Sequence, residues 1–419
     1  MDFTPTEAQL DLAQLTAEVC AKLVTADRLR ELDVVGRFDE PLWKALGETG
    51  VLAAALPDSL GGSGFGAMEQ TAILRELGRS VAAVPYLWSI VLGAGALARF
   101  GNEAQQQLAA LAGSGEAILS AALAEPLSAC SSEGDLATTE PLAAHSDEVV
   151  QTTAPAEPLS ADPGTGVPPA GVTADPGTVP SAAIIAERPA PSPGSESPSN
   201  WTLTGIATTV PYADRAVRIL VPALVSGRPA VFLVDPSAAV LTAQQVVDHS
   251  PEFLVEFQST PAELLGTLDT GAAILTWLRE QAWLGLAATQ LGTLERALEL
   301  TAEHTRTREQ FGKPLGAFQA VAQRLADAYI DIGGLRLTVT QAAWRVAENL
   351  PATESIHIAK FWAAEAGHRV AHTAVHLHGG LGIDRDHTLH NYFTAAKHQE
   401  FALGPATAHL LALGTELAR

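Results

Sequence analysis

Two stretches of this 419-residue chain bring together residue types that could grip a large anionic ligand. Arg308-Glu309-Gln310-Phe311-Gly312-Lys313-Pro314-Leu315, with Phe318-Gln319 close behind, supplies a rigid fork of guanidinium donors, two amides and a flat apolar ring. His376-Leu377-His378-Gly379-Gly380-Leu381-Gly382, leading into Leu389-His390-Asn391-Tyr392, supplies a glycine pair with no Cβ to hold a ligand off the backbone. Taken by type alone, these residues also read as a surface arginine and the end of a helix. Eight of the twelve histidines lie between His357 and His398, and His368, His372 and His376 recur every fourth residue. Such spacing can bind zinc, but no glutamate-containing zinc-protease pattern accompanies it, and no metal site is expected. No nucleophile elbow, phosphate-binding glycine loop or dinucleotide fingerprint stands in a strand–turn–helix setting.

Helices must position both stretches. Leu278–Leu300, Phe318–Val346 and Glu354–Leu377 read as three long helices, with two more over Leu389–Lys397 and from Pro405 to the end. The first third is helical too. Thr4-Pro5-Thr6-Glu7 has the form of an N-terminal cap, and Leu12, Leu15, Val19 and Leu23 follow on one face. A second helix runs through Leu42–Leu46, and Pro57–Gly66 is a glycine-punctuated loop. From Val81 to Ala98 no charge occurs, but Pro85, Ser89, Gly93 and Gly95 interrupt the run, so a buried helix is expected there and not a membrane span. Between the helical thirds lie short β-rich runs at Ile118–Leu123, Trp201–Leu203, Val217–Val221 and Val231–Val234. Residues 151–200 hold eleven of the 26 prolines, so about 150–198 reads as a flexible insertion.

The expected fold is α+β, mainly α. It has an N-terminal helical domain (1–117), a middle β-barrel or sheet domain (118–260) and a C-terminal four-helix bundle (261–419). Lys+Arg number 25 against Asp+Glu 47, a net charge of -22, which argues against nucleic-acid or anionic-membrane partners. Two cysteines and no export signal point to a cytoplasmic protein without a disulfide framework.

The two strings, at this separation and at the ends of long helices, resemble the acyl-CoA dehydrogenase family. Pro57-Asp58-Ser59-Leu60-Gly61-Gly62 and Glu76-Leu77-Gly78-Arg79 add to the likeness. The resemblance implies FAD as cofactor and an acyl-CoA substrate. A carboxylate takes the α proton while the β hydrogen leaves as hydride to the flavin. It assigns Arg308, Gln310, Phe311, Gln319, His376, Gly379 and Gly380 to the cofactor's pyrophosphate and adenine half. It also implies a homo- or hetero-oligomer with a related chain.

The sequence departs from the family at three places. Aligned on Lys397 and Gly404, the position of the catalytic carboxylate is Leu403, which cannot accept a proton. Some members place the carboxylate on the earlier long helix, where counting back from Arg308 lands on Ala282. Glu280 and Glu400 are then the remaining candidates for a base, and Glu295 lies far along the helix. Where the family has Thr-Glu-Pro with a Gly-Ser-Asp element, this chain has Ala124-Glu125-Pro126 followed by Leu127-Ser128-Ala129-Cys130, and Thr139-Glu140-Pro141 lies beyond. Its Trp-hydroxyl pair becomes Thr208-Thr209-Val210-Pro211. The expectation is an acyl-CoA dehydrogenase subunit for lipid or steroid side-chain degradation; the alternative is a non-catalytic partner that lends half of a flavin site to a catalytic homologue.

Overall fold

Capping chemistry starts the chain's first helix two residues later than the sequence suggests. The cap is Thr6: its hydroxyl accepts from the Gln9 amide while the Gln9 side chain accepts from the Thr6 amide. A hydroxyl followed at the third position by an amide satisfies two orphan N–H groups, and Thr6 and Gln9 fit where Thr4 and Glu7 do not. The computed structural model describes residues 3–124, 183–188 and 201–418. Helices α1 (Glu7–Leu23), α2 (Ala26–Val35), α3 (Glu40–Glu48) and α4 (Ala67–Arg79) come first. The uncharged run then forms a π-helix, Tyr86–Ala94, continuing into α5 (Gly95–Phe100) and followed by α6 (Glu103–Gly113). Nearly every residue of the π-helix is buried. Among the described residues, no helix is long and apolar enough to cross a membrane.

The middle strands are β1 (Leu119–Ala121), β2 (Ile185–Glu187), β3 (Trp201–Pro211), β4 (Arg218–Val225), β5 (Arg228–Val234), β6 (Val240–Gln244) and β7 (Glu252–Leu264). They pair in the order β1-β4-β2-β3-β7-β5, β5 also pairs with β4, and β6 adds to β7. The β4–β5 pairing closes the sheet into a barrel, whose interior holds Trp201, Leu203, Ile219, Phe232 and Phe257. Two expectations change here. Ile185–Glu187, inside the segment read as a flexible insertion, is a strand paired to β3 and β4. A short Ile-Ile-Ala run among prolines carries no local strand signal; its partners supply the structure. The rest of that segment, together with Glu125–Cys130 and Thr139–Pro141, lies outside the described residues. The strand-to-helix change also falls later than residue 261, because β7 continues to Leu264.

The C-terminal helices are α7 (Gly271–Thr307), α8 (Gln319–Ala347), α9 (Thr353–His378), α10 (Leu389–Phe401) and α11 (Ala406–Leu417), with a small hairpin of β8 (Glu309–Gln310) and β9 (Lys313–Pro314) after α7. Glycine lets α4 and α7 touch backbone to backbone. A Cβ on Gly78 would lie 2.1 Å from the Thr289 carbonyl oxygen, and one on Gly292 would lie 1.8 Å from that of Arg75. Beside this crossing the buried Glu295 carboxylate binds Arg75 (2.7 Å), Arg79 (3.3 Å) and Arg336 (2.8 Å), tying α4, α7 and α8 together. A buried carboxylate needs such partners, and its place at a three-helix junction is structural.

Candidate functional site

Helices α7 and α9 end side by side, and this brings the two sequence strings together. His304, in the last turn of α7, stacks on His378, in the last turn of α9, with ring centroids 4.2 Å apart and planes at 22°. Just beyond lie Arg308, the β8–β9 hairpin and the Gly379-Gly380 turn. The Arg308 carbonyl accepts from the Leu315 amide at 2.9 Å, which folds the hairpin back toward α8. At its tip both Phe311 and Gly312 have positive φ (53° and 76°), as a two-residue turn of this hand requires. Phe311 is thereby pushed out and is 92% exposed, braced edge-to-face by Phe318 at 6.2 Å. Lys313 lies over that second ring at 4.2 Å. Arg308, Gln310, Gln319 and His376 are exposed as well. Gly379 (φ 61°) and Gly380 face open space, where an added Cβ would meet nothing within 4 Å. The predicted binding residues therefore form one exposed surface of cation, amide, aromatic ring and bare backbone.

The position expected to carry the base lies elsewhere, in the turn between α10 and α11. Leu403 has φ 53° and its side chain packs on the core edge. Its carbonyl accepts from the Trp283 indole at 3.0 Å, and the His409 ring, Nε2 at 3.3 Å, lies within reach of the same oxygen. That contact puts the His409 proton on Nε2, so its Nδ1 accepts from His357 Nδ1, 2.9 Å away. Burial, the Lys360 charge and His357 push His409 down to about 3, which keeps it neutral. Lys360 is wholly buried, and its ammonium donates to the carbonyls of Gln399, Glu400 and Gly404 at 3.0–3.3 Å, capping the end of α10. Burial pulls this lysine down to about 7, with Glu400 acting the other way.

Neither remaining carboxylate is presented as a free base. Glu400 is buried between Lys397 (2.6 Å) and His368 (3.3 Å). Glu280 accepts the Thr353 hydroxyl, and Ala282 is fully buried. Of the histidine strip, His368 and His372 lean on each other with centroids 4.5 Å apart, and His372 meets Phe393. Among the described residues, no group of three His, Cys, Asp or Glu side chains is disposed to hold a metal ion.

The segment that replaces the ring-contacting pair, Thr208–Pro211, is a bulge in β3. Thr209 has φ 47°, and Gln244 is bonded to both the Thr208 hydroxyl (3.1 Å) and the Thr209 amide (2.7 Å). Pro211 and the next residue, Tyr212, border a cavity of about 120 Å³ that also meets Tyr86, Trp88, Leu286 and Gln399. One wall is an ion cluster invisible in the sequence, in which His398 lies 3.1 Å from Glu252 and 3.4 Å from Asp248. Burial opposes the imidazolium, but the two carboxylates outweigh it and hold His398 up at about 9. Tyr86 Oη and Gln399 Oε1 reach no partner among the described residues. A space of this size and polarity suits a few waters. Organic-ligand pockets start at about 300 Å³.

The acyl-CoA dehydrogenase N-terminal domain model matches residues 6–112, and the acyl-CoA dehydrogenase C-terminal domain model matches residues 269–417. Acyl-CoA dehydrogenase FadE27 of Mycobacterium tuberculosis is 43% identical over all of this chain and 99% of its own. A chain in the crystal structure of the ChsE4-ChsE5 complex from Mycobacterium tuberculosis superimposes with a TM-score of 0.80 at 42% identity, covering 100% of this chain and 99% of that one. A chain of the Tcur3481-Tcur3483 steroid ACAD G363A variant does so with a TM-score of 0.79 at 31% identity, covering 98% of each.

Proposed function

This chain belongs to the acyl-CoA dehydrogenase family of flavin-dependent oxidoreductases, and from that premise we propose that it is the non-catalytic subunit of a heteromeric acyl-CoA dehydrogenase. The observation that carries this reading is Leu403: where the reaction needs a proton acceptor, the chain holds a hydrocarbon on a turn fixed by Trp283 and His409. The chemistry FAD supplies when bound is acceptance of the β hydrogen as hydride. For that hydrogen to leave, the α proton must pass to a carboxylate, and in this assignment that group belongs to the companion chain.

The two halves of the cofactor fare differently against this chain. The pyrophosphate and adenine half fits the exposed surface: Arg308 offers a fork of donors, Gln310, Gln319 and His376 offer polar contacts, Phe311 an apolar face, and Gly379-Gly380 bare backbone. The ring half finds less here, because a β3 bulge held by Gln244, Thr208–Pro211, stands in place of the family's Trp-hydroxyl pair. A surface that is this exposed and yet built for a ligand is one that a second chain must cover. Tyr329, Ile330 and Leu337 on α8 are also exposed at 66–67%, which supplies the apolar area such a contact needs. The heteromeric ChsE4-ChsE5 complex supports a related chain as partner, and the steroid ACAD complex supports a steroid side-chain acyl-CoA as substrate class.

Co-expression with a related chain that carries a carboxylate at either base position tests the assignment. The expected product binds about one FAD per two chains and oxidises thioester, while this chain alone does neither. A flavin-loaded, active preparation of this chain alone overturns it.

A further inference from the structure

Three imidazoles crowd the junction where α7 and α9 end, and none of them was singled out by type or spacing as a binding group. His378 is the middle one: His304 stacks on it at 4.2 Å, and His387 lies 5.4 Å from it at 59°. The backbone fixes two of the three tautomers. His378 Nδ1 is 2.8 Å from the Ala374 carbonyl, which only accepts, so Nδ1 carries the proton and Nε2 keeps its lone pair. His387 Nδ1 accepts from the Leu389 amide at 3.2 Å, so its proton sits on Nε2 and protonation of Nδ1 would break that bond. His387 Nδ1 is thus committed to the backbone, which leaves His304 and His378 as the stacked pair open to a ligand.

We propose, building on the assignment of this surface to the cofactor's pyrophosphate half, that His304 and His378 are positioning residues that bind one proton together with the dinucleotide and clamp its phosphates against Arg308. Several observations support this. Arg308 is exposed one turn beyond His304, and it pairs with no carboxylate among the described residues, whereas Arg306 is tied to Glu303. Gly379 and Gly380, which follow His378 directly, leave open space for a ligand. Both helix C-termini favour a cation at this point. Without a ligand the rings are kept neutral. Burial lowers His304, and His387 and Arg308 add to it. Burial also lowers His378, with the Ala374 carbonyl opposing and His304 reinforcing. An arriving dianion cancels the repulsion from Arg308 and makes one imidazolium favourable. Two stacked rings share that proton, because charging both at 4.2 Å repels. The other charged or titratable groups at these helix ends are Glu303 and Arg306 on α7, Glu309 and Lys313 on the hairpin, His372 and His376 on α9, and Asp384, Arg385 and Asp386 before His387. From α2, Arg30 reaches the Asp386 carbonyl.

The test measures FAD affinity of the assembled complex between pH 6 and 8.5 by flavin fluorescence, together with proton uptake by calorimetry in buffers of differing ionisation enthalpy. The expected result is uptake of about one proton and affinity that rises up to tenfold per unit of falling pH. The double variant His304→Asn, His378→Asn should flatten that slope and abolish the uptake. Affinity independent of pH, or a slope unchanged in the double variant, overturns the clamp. If the double variant does not fold, proton uptake by the wild-type complex decides the matter alone. Arg308→Ala separates the two readings. Retained FAD in that variant refutes the assignment of the surface to the cofactor. Lost FAD combined with a flat wild-type pH profile refutes only the clamp.

Discussion

The indole N–H of Trp283, in the first half of α7, donates to the carbonyl of Leu403 across 3.0 Å. One bond thus ties the longest helix of the bundle to the turn between its last two helices. It holds in place a left-handed leucine, a conformation that costs a non-glycine residue about 1 kcal/mol or more. The turn is built with care although it carries no acid.

Restoring the acid should not restore the reaction. Leu403→Glu supplies a carboxylate, but Thr208–Pro211 still stands where the family has its ring-contacting Trp-hydroxyl pair. The expected outcome for this chain alone is no thioester-dependent dye reduction above background. Turnover by that variant would mean that the ring side is competent after all.

Phe311 should matter to assembly and not to folding. At 92% exposure its loss in Phe311→Ala changes the chain's own stability by less than about 0.5 kcal/mol. If the proposed companion chain covers it, the same change should weaken that association by about 1.4–2.8 kcal/mol, roughly 10- to 100-fold. Sedimentation of the mixed chains, read beside a thermal melt of this one, separates the two effects.

Lys360→Met removes the donor shared by the carbonyls of Gln399, Glu400 and Gly404. Leaving buried carbonyls without a donor costs about 2 kcal/mol or more, measured by denaturant unfolding. The loss also has a pH signature. With the folded lysine at about 7 against 10.5 unfolded, the unfolded chain binds more protons between those values. The wild type should therefore gain on the variant as pH rises from about 7 to 10.5, and a difference flat across that range would mean that burial does not lower this lysine.

His398→Gln should show the opposite slope. The folded imidazolium, held up at about 9 between Asp248 and Glu252, binds its proton more tightly than the unfolded histidine at 6.5. Its contribution is complete below pH 6.5 and is lost as pH rises through about 9. Melting temperatures of the two proteins should converge over that window.

Much of the fold was legible in local pattern. The long helices of the bundle, the β-rich middle and the buried uncharged run follow from apolar spacing and charge, which act within a few residues. Helices α2 and α6 escaped notice because they are short and weakly amphipathic, and β2 because its only strand signal comes from its partners. Arg308 to Gln319 and His376 to Gly380 stood out because each is contiguous and together they resemble the family, whereas residue type alone also allowed a surface arginine and the end of a helix. The lack of a carboxylate at 403 was equally plain.

What tertiary structure alone decided is which distant groups share a low-dielectric space. His304 meets His378 only because two helices end together, Glu252 meets His398 only because a barrel strand reaches the bundle, and Lys360 finds three carbonyls where α10 stops. Electrostatic interaction depends on distance through space and on exclusion of water, and neither is written in the order of residues. The sequence determined the two contiguous strings that resemble the family's cofactor-binding segments, and a leucine at 403 where the family's carboxylate is expected. The packing decided that His398 sits between two carboxylates beside Pro211, and that the two strings meet next to a pair of stacked imidazoles.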